Sequence, residues 1–217
     1  MSEAEKPAIG RREARKAERR AAIIEVAWRH FLEHGYAGTS MSAIVEEMGG
    51  SKGTLWSYFA SKEELFAATL EEVTVSLQSM MTEILDSARD MHEALTTIAE
   101  KIIIRVTSPD AIALQRLIIG EVERFPEIGR IFYDRGPGVG HALLTDYIAM
   151  QTRNGHLPEC DPREAAQMFL DLCTGSYHQR VLWSVAQQDD SVTEHEAARA
   201  VRQFLRCYAL SLGPRMT

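Results

Sequence analysis

The apolar residues of this 217-residue chain recur at helical spacing almost throughout, and this periodicity limits the possible folds more than any other feature. Ile23, Ala27 and Phe31 follow one another at four-residue intervals, as neighbours on one face of an α-helix do. No segment has the sustained two-residue alternation of a half-buried β-strand. The pattern therefore predicts an all-α protein.

Clusters of Gly, Pro, Ser and Asp interrupt the apolar pattern and mark the ends of the predicted helices. Gly35 is predicted to end the first helix as a C′ glycine, and Ser51 is predicted to cap the third. Ser61 and Glu64 form a capping-box sequence before the fourth. The predicted helices cover approximately residues 11–34, 42–48, 52–59, 62–87, 90–107, 109–124, 126–134, 137–154, 162–187 and 193–212.

The composition is that of an ordinary soluble globular protein, with 45% hydrophobic and 25% charged residues. No run approaches the roughly 18 apolar residues that a membrane helix needs, and the charged N-terminus lacks the apolar core of a signal peptide. Cys160, Cys173 and Cys207 are odd in number and match no CxxC or Cys/His spacing, which argues against structural disulfides and a zinc site. We therefore expect a protein of the reducing cytoplasm without a bound metal.

Charge is unevenly distributed along the chain. Residues 1–62 contain ten Lys and Arg against eight Asp and Glu, a net charge of +2, whereas the whole chain carries −7, which leaves −9 for residues 63–217. Most of the positive charge lies in RREARKAERR, residues 11–20. A polyanion would be attracted by the first quarter of the molecule and repelled by the rest. On charge alone, however, residues 11–20 are equally compatible with a solvated helix surface.

The segment SKGTLWSYF, residues 51–59, follows a short predicted helix and a Gly-Gly break. Two short helices separated by a glycine turn and braced by a longer helix form a helix-turn-helix, whose second helix enters the major groove of DNA by its N-terminal end. Leu55 and Phe59 lie on the buried stripe of this helix, whereas Trp56 and Tyr58 lie off it and are predicted to be exposed. The alternative is a plain helical hairpin whose aromatic residues fill its own core.

Residues 31–70, FLEHGYAGTSMSAIVEEMGGSKGTLWSYFASKEELFAATL, resemble the DNA-binding region of the TetR (tetracycline-repressor) family of transcriptional regulators. The matching features are the Gly-Tyr-x-x-Thr-Ser turn, SKGTLWSYF and SKEEL. Later segments, LIIGEVERFPEIGRIFYDRGP and NGHLPECDPREAAQMFLDL, more loosely resemble the AefR-like branch of that family. We therefore predict an N-terminal three-helix helix-turn-helix domain over residues 1–61, and a larger helical-bundle domain for ligand binding and dimerisation over residues 62–217.

The resemblance also implies roles for nine residues of the DNA-binding region. Those that match positions contacting DNA phosphates in the family are Thr39, Ser42, Trp56, Tyr58 and Lys62. Those that match the face turned toward the bases are Lys52, Gly53, Thr54 and Ser57. The residue types suit these tasks, because the small residues permit a close approach and the hydroxyl, indole and amine groups donate hydrogen bonds.

A small-molecule pocket in the C-terminal domain is a further property that the resemblance implies. The candidate lining residues are Met80, Met81, Phe132, Phe169, Tyr177, His178 and Trp183. Methionine and aromatic residues at helical spacing are more often ordinary core, and that alternative stays open for each of them. No metalloprotease, hydrolase-nucleophile or phosphate-loop motif occurs in the sequence, so we predict neither catalysis nor a cofactor.

The last two predicted helices carry long apolar stripes, which consist of Ala166, Phe169, Leu170, Cys173 and Tyr177 and of Ala197, Val201, Phe204, Leu205 and Tyr208. In the resembled family, two such helices from each subunit form a four-helix dimer interface. We therefore predict a homodimer whose recognition helices lie about one DNA turn apart, roughly 34–36 Å, on a near-palindromic operator in double-stranded DNA.

These observations predict a cytoplasmic repressor that an unidentified small-molecule effector releases from its operator. Effector binding would shift the population from a DNA-competent to a DNA-incompetent conformation. The alternative from another class is a helical enzyme or carrier whose N-terminal domain has lost DNA binding. A non-specific nucleoid binder is disfavoured by the acidic C-terminal domain and the isoelectric point near 5.5.

Overall fold

The computed structural model describes residues 6–49 and 52–209, with side chains for all of them except 6–11, 52, 76 and 209. Within these ranges the chain is helical and contains no strand, which confirms the all-α prediction. None of the helices described is long and apolar enough to cross a membrane. The helices are α1 (Lys6–Gly38), α2 (Met41–Met48), α3 (Lys52–Trp56), α4 (Lys62–Ser87), α5 (Met91–Thr107), α6 (Pro109–Glu121), α7 (Pro126–Arg135), α8 (Pro137–Arg153), α9 (Pro162–Cys173), α10 (Ser176–Leu182) and α11 (Asp190–Ala209).

Proline residues begin four of these helices, and they explain why the predicted starts agree with the structure. The first residues of α6, α7, α8 and α9 are Pro109, Pro126, Pro137 and Pro162. The fixed φ of proline suits the first turn of a helix, where its missing N–H group would have no helical partner in any case. Asp161 completes the start of α9, because its carboxylate accepts a hydrogen bond from the backbone N–H of Arg163 (2.8 Å).

The C-terminal part of the chain contains one helix more than the sequence predicts. The predicted helix 162–187 is divided into α9 and α10 at Gly175, whose ψ of −140° is not helical. A single glycine inside an apolar stripe is a weak signal, because helices tolerate it. The last helix begins at residue 190 instead of 193, since the Asp189 carboxylate accepts hydrogen bonds from the backbone N–H groups of Ser191 and Val192.

The described residues divide into two compact units. The head unit lies within Met1–Val73 and Leu117–Phe132, and the body unit lies within Thr74–Arg116 and Tyr133–Thr217. This division differs from the predicted boundary between residues 61 and 62, because the first part of α4 and a segment from the middle of the chain belong to the head unit. As a result, α4, α6 and α7 each contribute residues to both units.

Four aromatic side chains form the centre of the head unit. The rings of Phe31 and Tyr36 stack with their centroids 5.8 Å apart, and Phe66 of α4 makes edge contacts with both, at 4.9 and 5.3 Å. Phe125 adds a fourth ring against Tyr36, at 5.2 Å. Aromatic pairs of this kind contribute about 0.5–1.5 kcal/mol each beyond the burial of their area, so the cluster is a major source of stability for the unit.

In the body unit, α11 packs against α5 and α9, and α8 packs against α9. This packing buries most of the apolar stripes that the sequence assigns to a dimer interface. The stripe residues buried in the core of the unit are Ala166, Phe169, Cys173, Tyr177, Ala197, Val201 and Phe204. The prediction that these stripes need a partner subunit to cover them is therefore wrong, because helices of the same chain cover them. Partly buried residues that pack against the same core are Leu170, Leu205 and Tyr208.

The cysteines should differ sharply in reactivity. Cys173 is buried, and its burial raises the pKa of the thiol to about 12, whereas Cys207 is exposed. Since the thiolate is the reactive form, iodoacetamide at about pH 8 should alkylate Cys207 and leave Cys173 unmodified in the folded protein. Peptide mass spectrometry with and without urea checks this, because unfolding should remove the difference. Equal alkylation of both residues without urea would contradict the buried position of Cys173.

Candidate nucleic-acid interface

Helices α2 and α3 form the helix-turn-helix, and local sequence determines both ends of α2. The Ser40 hydroxyl accepts a hydrogen bond from the backbone N–H of Ala43 (3.1 Å), which caps the helix. Gly49 ends it with φ 63° and ψ 31°, a left-handed conformation that glycine adopts without steric cost. The predicted cap of α3, Ser51, and its neighbour Gly50 lie outside the described residues.

Helix α3 has one buried face and one exposed aromatic residue. It ends at Trp56, three residues before the predicted end. Leu55 and Phe59 are each 2% exposed and attach this segment to the head unit, as predicted. Trp56, next to Leu55 in the sequence, is 52% exposed. This arrangement is not that of a hairpin whose aromatic residues all fill its own core.

Most of the other residues predicted to contact DNA also reach solvent. Those with exposed or half-buried positions are Ser42, Gly53, Thr54, Ser57 and Tyr58. The Ser57 hydroxyl donates a hydrogen bond to the backbone oxygen of Thr54 (2.7 Å), and its own oxygen remains able to accept one. Lys52 begins α3, but its side chain lies outside the described side chains.

Thr39 and Lys62, by contrast, are engaged inside the head unit. The Thr39 side chain is buried, and its hydroxyl donates to the backbone oxygens of His30 (2.9 Å) and Gly35 (2.7 Å). The Lys62 ammonium donates to the backbone oxygens of Tyr36 (2.8 Å) and Thr39 (3.3 Å), and it lies 4.1 Å from the centroid of the Tyr36 ring. Both side chains stabilise the backbone around the non-helical Gly35 and before α2, and a phosphate contact by either one stays a prediction.

An ion-pair cluster connects α1 to α2. One oxygen of the Glu47 carboxylate lies 2.7 Å from Nη2 of Arg29, and the other lies 2.6 Å from Nε2 of His30. Both hydrogen bonds lower the pKa of Glu47, that with His30 more than that with Arg29. The carboxylate is therefore ionised at neutral pH. The Arg29 guanidinium offsets its negative charge, which reduces the repulsion of a polyanion near α2.

Sequence reasoning did not identify Glu121 and Phe125 as residues of the head unit. The Glu121 carboxylate accepts hydrogen bonds from the backbone N–H groups of Tyr36 and Ala37, and Phe125 packs on the Tyr36 ring. The pKa of Tyr36 is raised mainly by burial, and also by the hydrogen bond from its hydroxyl to Glu63 (3.0 Å). The hydroxyl therefore remains a donor at neutral pH. Glu121 and Tyr36 are 85 positions apart, and no local pattern in the sequence signals such a pairing.

The residues predicted to line an effector pocket differ widely in burial. Those buried in the core of the body unit are Met81, Phe169 and Tyr177. Met80 packs against this core, Phe132 belongs to the head unit, and Trp183 is 67% exposed. Core packing therefore explains the three buried residues, and the exposure of Trp183 disagrees with a place in an interior pocket.

His178 stands apart from the other candidates. Burial lowers the pKa of its imidazole against the opposing effect of a hydrogen bond to the backbone of Thr174, so the ring is neutral at pH 7. Its Nε2 atom is fully buried and has no hydrogen-bond partner among the residues that the structure describes. An unpaired buried polar atom costs about 1–3 kcal/mol. The position is therefore suited to a polar group that a bound ligand would supply.

A groove of about 420 Å³ lies between α5 and α11 on the body unit. Its lining residues are His92, Thr96, Ala198, Arg202, Leu205 and Arg206. The set contains none of the residues that the sequence assigns to effector binding. In the described part of the chain, no group of three or more His, Cys, Asp or Glu side chains is arranged to hold a metal ion.

Two segments of the chain match known protein families. Residues 23–69 match the family described as bacterial regulatory proteins of the tetR family. Residues 93–210 match the C-terminal domain of AefR-like transcriptional repressors. The first match contains the whole helix-turn-helix, and the second extends over most of the body unit.

Individual proteins are similar over most of their length. The HTH-type transcriptional repressor AcnR of Corynebacterium diphtheriae is 30% identical over 142 residues, which cover 58% of this chain and 75% of the relative. A crystal structure from Mesorhizobium loti, assigned to the TetR-family regulators, has a TM-score of 0.78 and 26% identity over 89% of this chain and 98% of that one. The flavonoid-responsive regulator FrrA has a TM-score of 0.73 and 29% identity over 88% and 97% of the two chains.

Proposed function

Because this chain belongs to the TetR family of transcriptional regulators, we propose that it is a repressor that recognises a specific operator through α3. One observation carries the proposal: Leu55 and Phe59 of this segment are buried, whereas Trp56 is exposed. A helical enzyme or carrier that did not bind DNA would have no use for an exposed indole on a five-residue helix after a glycine turn. We therefore expect regulation of transcription rather than catalysis.

The proposed contacts follow the exposure of the side chains. The residues that we propose to face the bases are Lys52, Gly53, Thr54 and Ser57, and those that we propose to contact phosphates are Ser42, Trp56 and Tyr58. Short side chains beside the helix start permit a close approach, while the indole and phenol groups donate hydrogen bonds to phosphate oxygens. In this proposal, Thr39 and Lys62 act by holding the backbone that precedes α2.

The proposed repressor is a homodimer that uses the outer faces of α9 and α11. The outer faces are the ones that these two helices leave open to a second copy, since their apolar stripes are buried within the body unit. The exposed charges of α11 are acidic in its first half, at Asp190 and Glu194, and basic in its second half, at Arg202 and Arg206. An antiparallel pair of α11 helices would bring opposite charges together, which favours a two-fold arrangement.

We propose that a small molecule bound by the body unit releases the operator. Two observations support this part: the buried Nε2 atom of His178 needs a hydrogen-bond partner, and the similar protein FrrA is described as flavonoid-responsive. An effector of this kind would offer a polar group to His178. Screening flavonoids for release of the operator, with a His178→Phe variant for comparison, tests this part of the proposal.

Selection from random double-stranded DNA with the full-length chain tests the operator and the dimer together. We expect an enriched near-palindrome with half-sites about one helical turn apart, bound at least about 10³-fold more tightly than unrelated DNA. The affinity should fall steeply with salt, because phosphate contacts release counterions. A single enriched half-site would contradict the dimer, and equal binding to all sequences would contradict the repressor.

A further inference from the structure

The kink at Gly35, near the end of α1, is held by a side chain from a distant part of the sequence. Gly35 interrupts the helical geometry of α1 with φ 74° and ψ 175°. The next two backbone N–H groups point at one carboxylate: Tyr36 donates to Oε1 of Glu121 (2.7 Å), and Ala37 donates to Oε2 (2.6 Å). Hydrogen bonds to an ionised acceptor are about twice as strong as neutral ones, so this double contact is a firm attachment.

The backbone at position 35 is shaped to receive this carboxylate. A Cβ atom on Gly35 would overlap Oε1 of Glu121. In addition, residues other than glycine rarely adopt its positive φ. Glycine therefore permits both the turn of the chain and the close approach of the side chain.

Tyr36 is held through both of its backbone polar groups. Glu121 accepts from its N–H, and the Lys62 ammonium donates to its carbonyl oxygen (2.8 Å). Lys62 also donates to the carbonyl oxygen of Thr39, which directly precedes Ser40, the cap of α2. Lys62 therefore connects the backbone of Tyr36 to the residue before the cap of α2, and α3 packs on α2.

We infer that Glu121 is a positioning residue for operator binding, because its carboxylate holds the kink at the end of α1 in the conformation that presents α3 to DNA. The inference rests on the proposed function, since it takes α3 as the element that reads the operator. Glu121 acts through the backbone of Tyr36 and Ala37. Its own negative charge would oppose a direct contact with phosphates.

The test compares Glu121→Ala and the milder Glu121→Gln with Glu123→Gln, which removes the same charge at an exposed position two residues away. In the full-length protein, amide hydrogen exchange of Tyr36 and Ala37, followed by NMR, should accelerate about tenfold or more in Glu121→Ala. Operator affinity should fall about tenfold. Its dependence on salt should stay the same, because no phosphate contact is lost. Glu123→Gln should change neither quantity, and circular dichroism checks that each variant folds.

The direction of the change separates positioning from electrostatics. Loss of a carboxylate from a DNA-binding unit would by itself strengthen DNA binding. The inference is overturned if Glu121→Ala binds the operator as well as Glu123→Gln does, or if exchange of the two amides is unchanged. A wild-type chain that selects no operator would overturn the proposed function, and the exchange rates would then decide on the attachment alone.

Discussion

Replacing Phe31 with Ala is expected to lower the free energy of unfolding of the head unit by about 3–5 kcal/mol. The side chain is completely buried, stacks on Tyr36 and meets the edge of Phe66 with a centroid distance of 4.9 Å. Truncation removes these contacts and leaves a cavity that the neighbouring rings cannot fill without leaving their own positions. Urea unfolding followed by the fluorescence of Trp28 and Trp56, both in the head unit, measures the change.

Ile119→Ala is the matched control, since this apolar residue of the head unit is 64% exposed. Its truncation should change the free energy of unfolding by no more than about 0.5 kcal/mol. Trp183 lies in the body unit, so all variants should also carry Trp183→Phe and leave only the head unit fluorescent. A Phe31→Ala protein no less stable than Ile119→Ala would show that the aromatic cluster does not determine the stability of the unit.

The features of the fold that the sequence predicts correctly depend on residues close together along the chain. Ser61 caps α4 as predicted, because its hydroxyl accepts the backbone N–H of Glu64 at 3.1 Å. Gly35 has the positive φ expected of a glycine that interrupts a helix. Leu55 and Phe59, four residues apart, share the buried face. Spacings of three and four residues are visible in a sequence, so caps and buried stripes can be predicted from it.

The features that the sequence does not reveal depend on contacts between distant positions. Thr39 and Lys62 have side chains suited to phosphates, yet both donate to backbone carbonyl oxygens near the non-helical Gly35. Glu121 meets Tyr36 across 85 positions. The apolar stripes of α9 and α11 were misassigned for the same reason. A stripe shows that a face is apolar, but it does not show whether the same chain or another one covers that face.

Operator binding is expected to weaken by about 100-fold or more when Trp56 is replaced with Glu, since like charges brought together at an interface cost several kcal/mol. The side chain is 52% exposed beside the buried Leu55. A carboxylate there would face DNA phosphates in the proposed interface, while an exposed substitution should change the stability of the head unit little. Fluorescence anisotropy with the selected operator measures the affinity, and urea unfolding checks the stability.

Tyr133→Glu is the matched control, because Tyr133 is an aromatic residue of the body unit that is 53% exposed and receives the same charge. Its affinity for the operator should stay within about threefold of that of the wild type, because one negative charge added outside the interface repels the DNA only weakly. Equal losses in the two variants would mean that net charge, and not α3, determines affinity. With a net charge of −7, the chain as a whole repels DNA, so a loss of affinity confined to Trp56→Glu would show that the DNA is contacted at α3.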